Sequence, residues 1–413
     1  MMLPNLRILV LAISLCSFVH ASPTAVRKEA NGVSLAKRAT CTPASAGNSS
    51  TDDVPAVIAA IKSCGSGGVI QIPVGVQYAI NSVLDFTGCV GCTFNIEGTL
   101  KVSDDLEFWE GKRAIFYMNG INTATIQSIT GTGVIDGNGQ AAYDYFATNS
   151  SYARPTLHYI TGASSHITIK NLKIYNPPNV FFSVTGASTN IAYSELTMTA
   201  ASKSTTAPKN TDGFDIGSST YVTLNNITVS NQDDCVAFKP GANYVTINTI
   251  SCTGSHGLSV GSLGSKAGTT DSVTNIHVTG ATMVNSTKAV GIKLYPGGAS
   301  YGSATVRNIT FDNVTVENSD WAAQIQSCYN ADATYCASNP SKASVTDVHF
   351  TNFKGTTSSK YSPDVANLDC PGDGTCDVYF SSWSVTPSSG TATFLCANVD
   401  ASTGLSCTSG ASG

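Results

Sequence analysis

The chain is poor in charge: Asp, Glu, Lys and Arg make up 12% of its 413 residues. It lacks the His/Cys spacing that holds zinc. Beyond its first two dozen residues, no apolar run is long enough to span a bilayer. These absences argue against a zinc enzyme and a membrane-spanning protein. Positive charge is scarce as well. Residues 1–38 contain five basic residues and one acid, so the chain without them carries 17 basic and 26 acidic residues, net −9. That balance argues against nucleic acid as a partner. It leaves an acidic polysaccharide open, because local charge in a cleft matters more than the total.

What is present first indicates a compartment. Residues 1–21 place Arg7 before the apolar run "ILVLAISL" and end in "VHA", the layout of a secretory signal peptide. A polar leader then ends at Lys37-Arg38, a dibasic step that marks residues 22–38 as a propeptide and leaves residues 39–413 as one mature domain. After Cys16 twelve cysteines remain: Cys41, Cys64, Cys89, Cys92, Cys235, Cys252, Cys328, Cys336, Cys370, Cys376, Cys396 and Cys407. An even count in an oxidising compartment points to disulfides. Spacing does not fix their pairing, although Cys328/Cys336, Cys370/Cys376 and Cys396/Cys407 are simple local staples. Cys89-x-x-Cys92 outside the cell reads as a staple and not a redox pair. Sequons at Asn48, Asn149, Asn226, Asn285, Asn308 and Asn313 mark candidate glycosylation sites. A monomer is expected.

Abundant Gly, Ser, Thr and Asn suit a β-rich protein. Pairs of short alternating strands recur, as in "HITIKNLKIYN", "YVTLNNITVSN" and "NITFDNVTVEN". Taking Ile167, Ile191, Val222, Val245, Ile276 and Ile309 as markers, the intervals are 24, 31, 23, 31 and 33 residues. A period in this range made only of strands and turns is a solenoid signature. The alternation excludes helical repeats, and a propeller needs longer repeats. The expected fold is all-β, a right-handed parallel β-helix. Residues 53–63, "DVPAVIAAIKS", are predicted to form a short helix capping its N-terminal end.

Coil spacing also organises the few charged residues. Asp233 follows Asp212 by 21 residues, His256 follows Asp233 by 23, and Lys293 follows His256 by 37. Residues one coil apart lie about 4.8 Å apart in a solenoid. Asp212, Asp233, Asp234, His256 and Lys293 are therefore expected on one face. Adjacent Asp233 and Asp234 would face opposite ways in a strand, so the chain must bend there. Like charges stacked so closely repel, which favours a catalytic set over a solvated ladder. Asp215 and Asp271 read as turn residues, and His166, His277 and His349 as structural or surface groups. A calcium site is the competing reading of the acids. The adjacent histidine and the lack of further acids weigh against it, so neither a metal nor a cofactor is expected.

"NTDGFD", "NQDDCVAFK", "GSHGLSVGSLG" and "GTGVIDGNG" together resemble the polygalacturonase family of glycoside hydrolases. The resemblance implies inverting hydrolysis of α-1,4-galacturonosyl bonds in pectin. It implies Asp233 as general acid, Asp212 and Asp234 as the pair that activates water, and His256 as support for the protonation of Asp233. Asn210, Lys293, Gly291 and Tyr329 are the implied substrate positions, and Cys235 is expected to pair with Cys252. Like-charge neighbours are expected to keep Asp233 protonated, with Asp212 and Asp234 lower. Gly291 stands where the family places an arginine. Its expected effect is to remove a charged clamp and open volume for galacturonan branched with xylose, so that Gly291→Arg should favour the unbranched chain. The alternatives are an exo-acting polygalacturonase on unbranched galacturonan and, further off, a pectin-binding β-helix without turnover.

Overall fold

Alternating β-branched and polar residues make each short run a strand, and each strand pairs in parallel with its counterpart in the next coil. The computed structural model describes residues 38–400 and 403–413; the expected signal peptide, and the expected propeptide up to Lys37, lie outside them. From Arg38 on, the strands form one sheet of seventeen and one of twelve, and the chain winds as a right-handed parallel β-helix. The marker residues are neighbours in the larger sheet, running Ile167–Ile191–Val222–Val245–Ile276–Ile309–Val348. Coils of unequal length therefore keep one register.

The polar or glycine break inside each strand pair is a corner. Asn226, Thr249, Gly280, Asn313 and Asn352 all have φ between 52° and 73°, the left-handed region that Asn and Gly tolerate best. They align in one column because the ladders skip them in step. Ser219–Ser230, Ala242–Thr253 and Thr270–Val284 thus each wrap round that corner.

Inside, apolar residues stack on their counterparts. The Phe116, His158, Phe182 and Phe214 rings run through four coils with centroids 4.8, 4.5 and 5.3 Å apart. His158 is a core ring, and burial pushes its pKa down to about 3 despite a bond to the Phe181 carbonyl. At the N-terminal end the helix forms at Val54–Cys64, burying Val57 and Ile61 against the first coil. Each contributes roughly 1.5–3 kcal/mol. The Asp53 carboxylate accepts the Ala46 and Ala79 amides at 2.7 and 2.8 Å, and Cys41–Cys64 ties the cap to the sheet. The other disulfides are Cys89–Cys92, Cys235–Cys252, Cys328–Cys336, Cys370–Cys376 and Cys396–Cys407. Among the described residues no helix is long and apolar enough to cross a membrane.

Three short helices were not legible in the sequence: Leu106–Trp109, Gln140–Thr148 and Ala333–Ser338. Each lies in a loop outside the repeat, where local contacts decide the structure. "GTGVIDGNG" leads into the second of these. A Cβ on Gly137 or Gly139 would meet the Asn176–Pro177 backbone within 2.9 Å, so the motif seats the helix and does not reach the acids.

Candidate active site

The smaller sheet carries the site on its outer face. Its strands here are short, Phe214–Ile216 and Val236–Phe238, followed by Leu258–Leu263 and Val290–Leu294. One outward column reads Tyr159, Ser183, Asp215, Ala237, Ser259, Gly291, Gln324 and Asn367.

Asp233 and Asp234 precede the strand, in the bend that the sequence required. The Asn231 amide donates to the Thr211 and Asp234 carbonyls at 2.7 and 3.0 Å. The Gly213 amide donates back to Asp234 O, and the His256 amide to Asp233 O, at 2.9 and 2.8 Å. Coils before and after thus pin the bend, and Cys235–Cys252 closes it at its base.

The three acids then meet different partners. Asp233 Oδ1 lies 3.2 Å from His256 Nδ1 and accepts the Asp234 amide at 2.8 Å. Burial would raise the Asp233 pKa, but the His256 hydrogen bond and charge outweigh it and hold it at about 2. Asp234 is buried, and both its oxygens accept Lys293 Nζ at 2.7 and 2.8 Å while Ser259 Oγ donates to Oδ1 at 2.7 Å. Asp212 is the acid pushed well above the ordinary carboxylate range, first by burial and then by the charges of Asp215 and Asp233; Lys239, 3.7 Å away, offsets this only in part. The expected order is therefore corrected. The histidine holds Asp233 down, whereas burial and repulsion push Asp212 up.

Asn210, Lys293 and Tyr329 line the same open cleft of about 510 Å³ as Asp212, Asp233 and Asp234. Asn210 donates to Asp233 Oδ2 at 3.4 Å, and the Tyr329 ring lies 5.5 Å from Lys293 Nζ.

Several cleft residues were missed. Asp215 is no turn residue: it sits on a strand, faces the cleft and pairs with Lys239 at 3.4 Å. Its place in the outward column was the available signal, once the short strand was placed. Arg154 donates to Asn210 Oδ1 at 2.7 Å and to the Lys209 and Pro178 carbonyls, with its guanidinium 3.6 Å from the Phe146 ring centroid. It reaches the site from a loop, where spacing gives no signal.

Gly291 also departs from expectation. It opens no free volume, because a Cβ there would meet Lys288 Cδ and Cε at 2.7 Å and the Gln324 carbonyl at 2.9 Å. The space an arginine would enter already holds a lysine.

Ligand atoms of Asp233, Asp234 and His256 fall within 4.8 Å of one another, a spacing a cation could use. Both oxygens of Asp234 are engaged by Lys293, however, so a metal would have to displace an ion pair already formed.

The model of the family described as glycosyl hydrolases family 28 matches residues 64–407. The chain is 55% identical to endo-xylogalacturonan hydrolase A of Aspergillus tubingensis over 393 residues, 95% of this chain and 96% of that one. It is likewise 55% identical to the probable endo-xylogalacturonan hydrolase A of Aspergillus niger, over 95% and 96% of the two chains. The crystal structure of the A. tubingensis enzyme superposes with a TM-score of 0.89 at 56% identity, covering 91% of this chain and all of that one. The polygalacturonase of Erwinia carotovora, 18% identical over 88% of this chain and 96% of that one, shares the fold with a TM-score of 0.68.

Proposed function

Because the chain belongs to glycosyl hydrolases family 28 and is a glycoside hydrolase, we propose that it is a secreted enzyme that cleaves α-1,4-galacturonosyl bonds within xylose-substituted galacturonan, with inversion. The observation that carries the chemistry is the set of three carboxylates in one cleft, each with a different charge partner. General acid–base hydrolysis needs groups whose environments push their protonation apart.

The Asp233–His256 pair is the acid. In the free site His256 holds the Asp233 pKa down. A sugar laid over the pair excludes water, and desolvation favours the neutral form, in which the proton has moved to Asp233. Asp233 then protonates the glycosidic oxygen as the bond to the anomeric carbon breaks. A water held by Asp212 and Asp234 forms the new bond from the opposite face. The water's proton passes to Asp234, whose charge Lys293 holds in place. Asn210 and Tyr329 contact the sugar on either side of the acids. Exposed Asn48, Asn226, Asn285, Asn308 and Asn313 are available for glycosylation, whereas Asn149 is half-buried and bonded to Tyr145 and Ser151.

The substrate preference follows the two relatives named above. It is tested by product profiles on branched and unbranched galacturonan, with the anomeric configuration of the first product read by NMR. Oligomers of inverted configuration from the branched chain are expected, with little action on the bare one. Monomer or dimer released from bare polygalacturonate would instead identify an exo-acting polygalacturonase.

A further inference from the structure

Three lysines lie on the outer face around the acids, Lys288 and Lys293 buried and Lys239 partly exposed. Lys239 pairs with Asp212 and Asp215, and Lys293 pairs with Asp234. Lys288 is different. It is 4% exposed, yet its ammonium has neither a hydrogen-bond acceptor nor an ion-pair partner among the described residues. The ammonium tip itself is not sealed from solvent, so a bound ligand can reach it. Two glycines in successive coils make room for it: a Cβ on Gly257 would lie 3.1 Å from Lys288 Cγ, and one on Gly291 2.7 Å from Cδ and Cε. Gly291 sits between Ser259 and Gln324 in the outward column, and Ser259 bonds Asp234, so the lysine's chain passes one column position from the group that holds that acid. Burial and the nearby Lys293 push its pKa down to about 8, against the pull of Asp234 and Asp233, as expected of a cation whose counter-ion is not part of the protein.

Resting on the galacturonan reading above, we infer that Lys288 receives a galacturonate carboxylate on the cleft floor beside Asp233, and that residue 291 is glycine to let it lie there. Lysine binds a carboxylate as a compact point charge without the planar fork of arginine, so it fixes the charge while demanding less of the sugar's orientation. That tolerance suits a backbone whose sugars carry branches.

The test compares wild type with Lys288→Met and Gly291→Ala on a xylose-branched galacturonate oligomer and on its methyl ester. Methionine keeps the length of the side chain and removes the charge. Lys288→Met is expected to raise KM for the acid roughly tenfold to a hundredfold, the worth of one charge-assisted bond. Its kcat should stay within about threefold, its Tm should equal or exceed that of wild type, and KM for the ester should hardly move. Gly291→Ala keeps the charge but pushes the lysine aside, and should raise KM for the acid in the same direction. An unchanged KM for the acid, equal losses on acid and ester, or a Lys288→Met variant that fails to fold would each overturn the inference. Calorimetric binding of the two oligomers needs no turnover, so it decides the role of Lys288 even if the wild type hydrolyses neither.

Discussion

The two outer faces of the solenoid use stacking in opposite ways. On the larger sheet like lies on like: Tyr221 stacks on Tyr244 at 5.1 Å, Asn248 bonds Asn225, and Asn308 bonds Asn275, which bonds Asn243. On the smaller sheet unlike groups meet at the same spacing, with four acids, three lysines and a histidine within a few coils. One backbone serves both. The ladders repeat a neutral, mutually satisfied contact, whereas the cleft concentrates charges that coil spacing alone would drive apart. The difference lies in what compensates each group: a neighbour of the same kind on one face, a particular counter-charge on the other.

Four substitutions break or sharpen this contrast, taken from the largest expected effect down. Asp233→Asn removes the acid's proton-carrying group and should lower kcat by about 10²–10⁴, with circular dichroism unchanged. Phe214→Ala, one residue from Asp215 but pointing inward, should cost about 3–5 kcal/mol in denaturant unfolding, with kcat nearly retained by the fraction that stays folded. Asp212→Asn should lower kcat less than Asp233→Asn does and yet raise Tm, by roughly 1–3 °C. Asp212 has a raised pKa in the folded state, so the folded chain binds more protons than the unfolded chain above pH ~4. Its share of stability is therefore present below that pH and is lost as pH rises through the folded value; Asp212→Asn should flatten the slope. Asp233 acts in the opposite sense, and its share is lost as pH falls from about 4 towards about 2. Last, Asn248→Ala interrupts one exposed ladder and should cost only about 0.5–1.5 kcal/mol, with no effect on hydrolysis.

The sequence made the stack of Asp212, Asp233 and His256 legible because the register is kept by strands whose apolar alternation is unmistakable. Asp215 was misread because a three-residue strand carries too little alternation to declare its outward side. Lys288 was invisible for another reason: its aliphatic chain lies over Gly291, three residues away, and only the absence of two side chains lets it through. The charge states were beyond reach as well. Spacing brings Asp233 and Asp212 together, but which one keeps its proton depends on where His256 and Asp215 point.

The unequal coils have an evolutionary consequence. Val222 to Val245 spans 23 residues and Ile276 to Ile309 spans 33, yet each pair meets in register. The extra residues leave the cylinder as loops and return without shifting any floor residue. Insertions and deletions in those loops can reshape the walls of the cleft while the acids below keep their positions. A lineage can therefore explore new branched substrates by changing loop length, with the bond-breaking chemistry insulated from each trial.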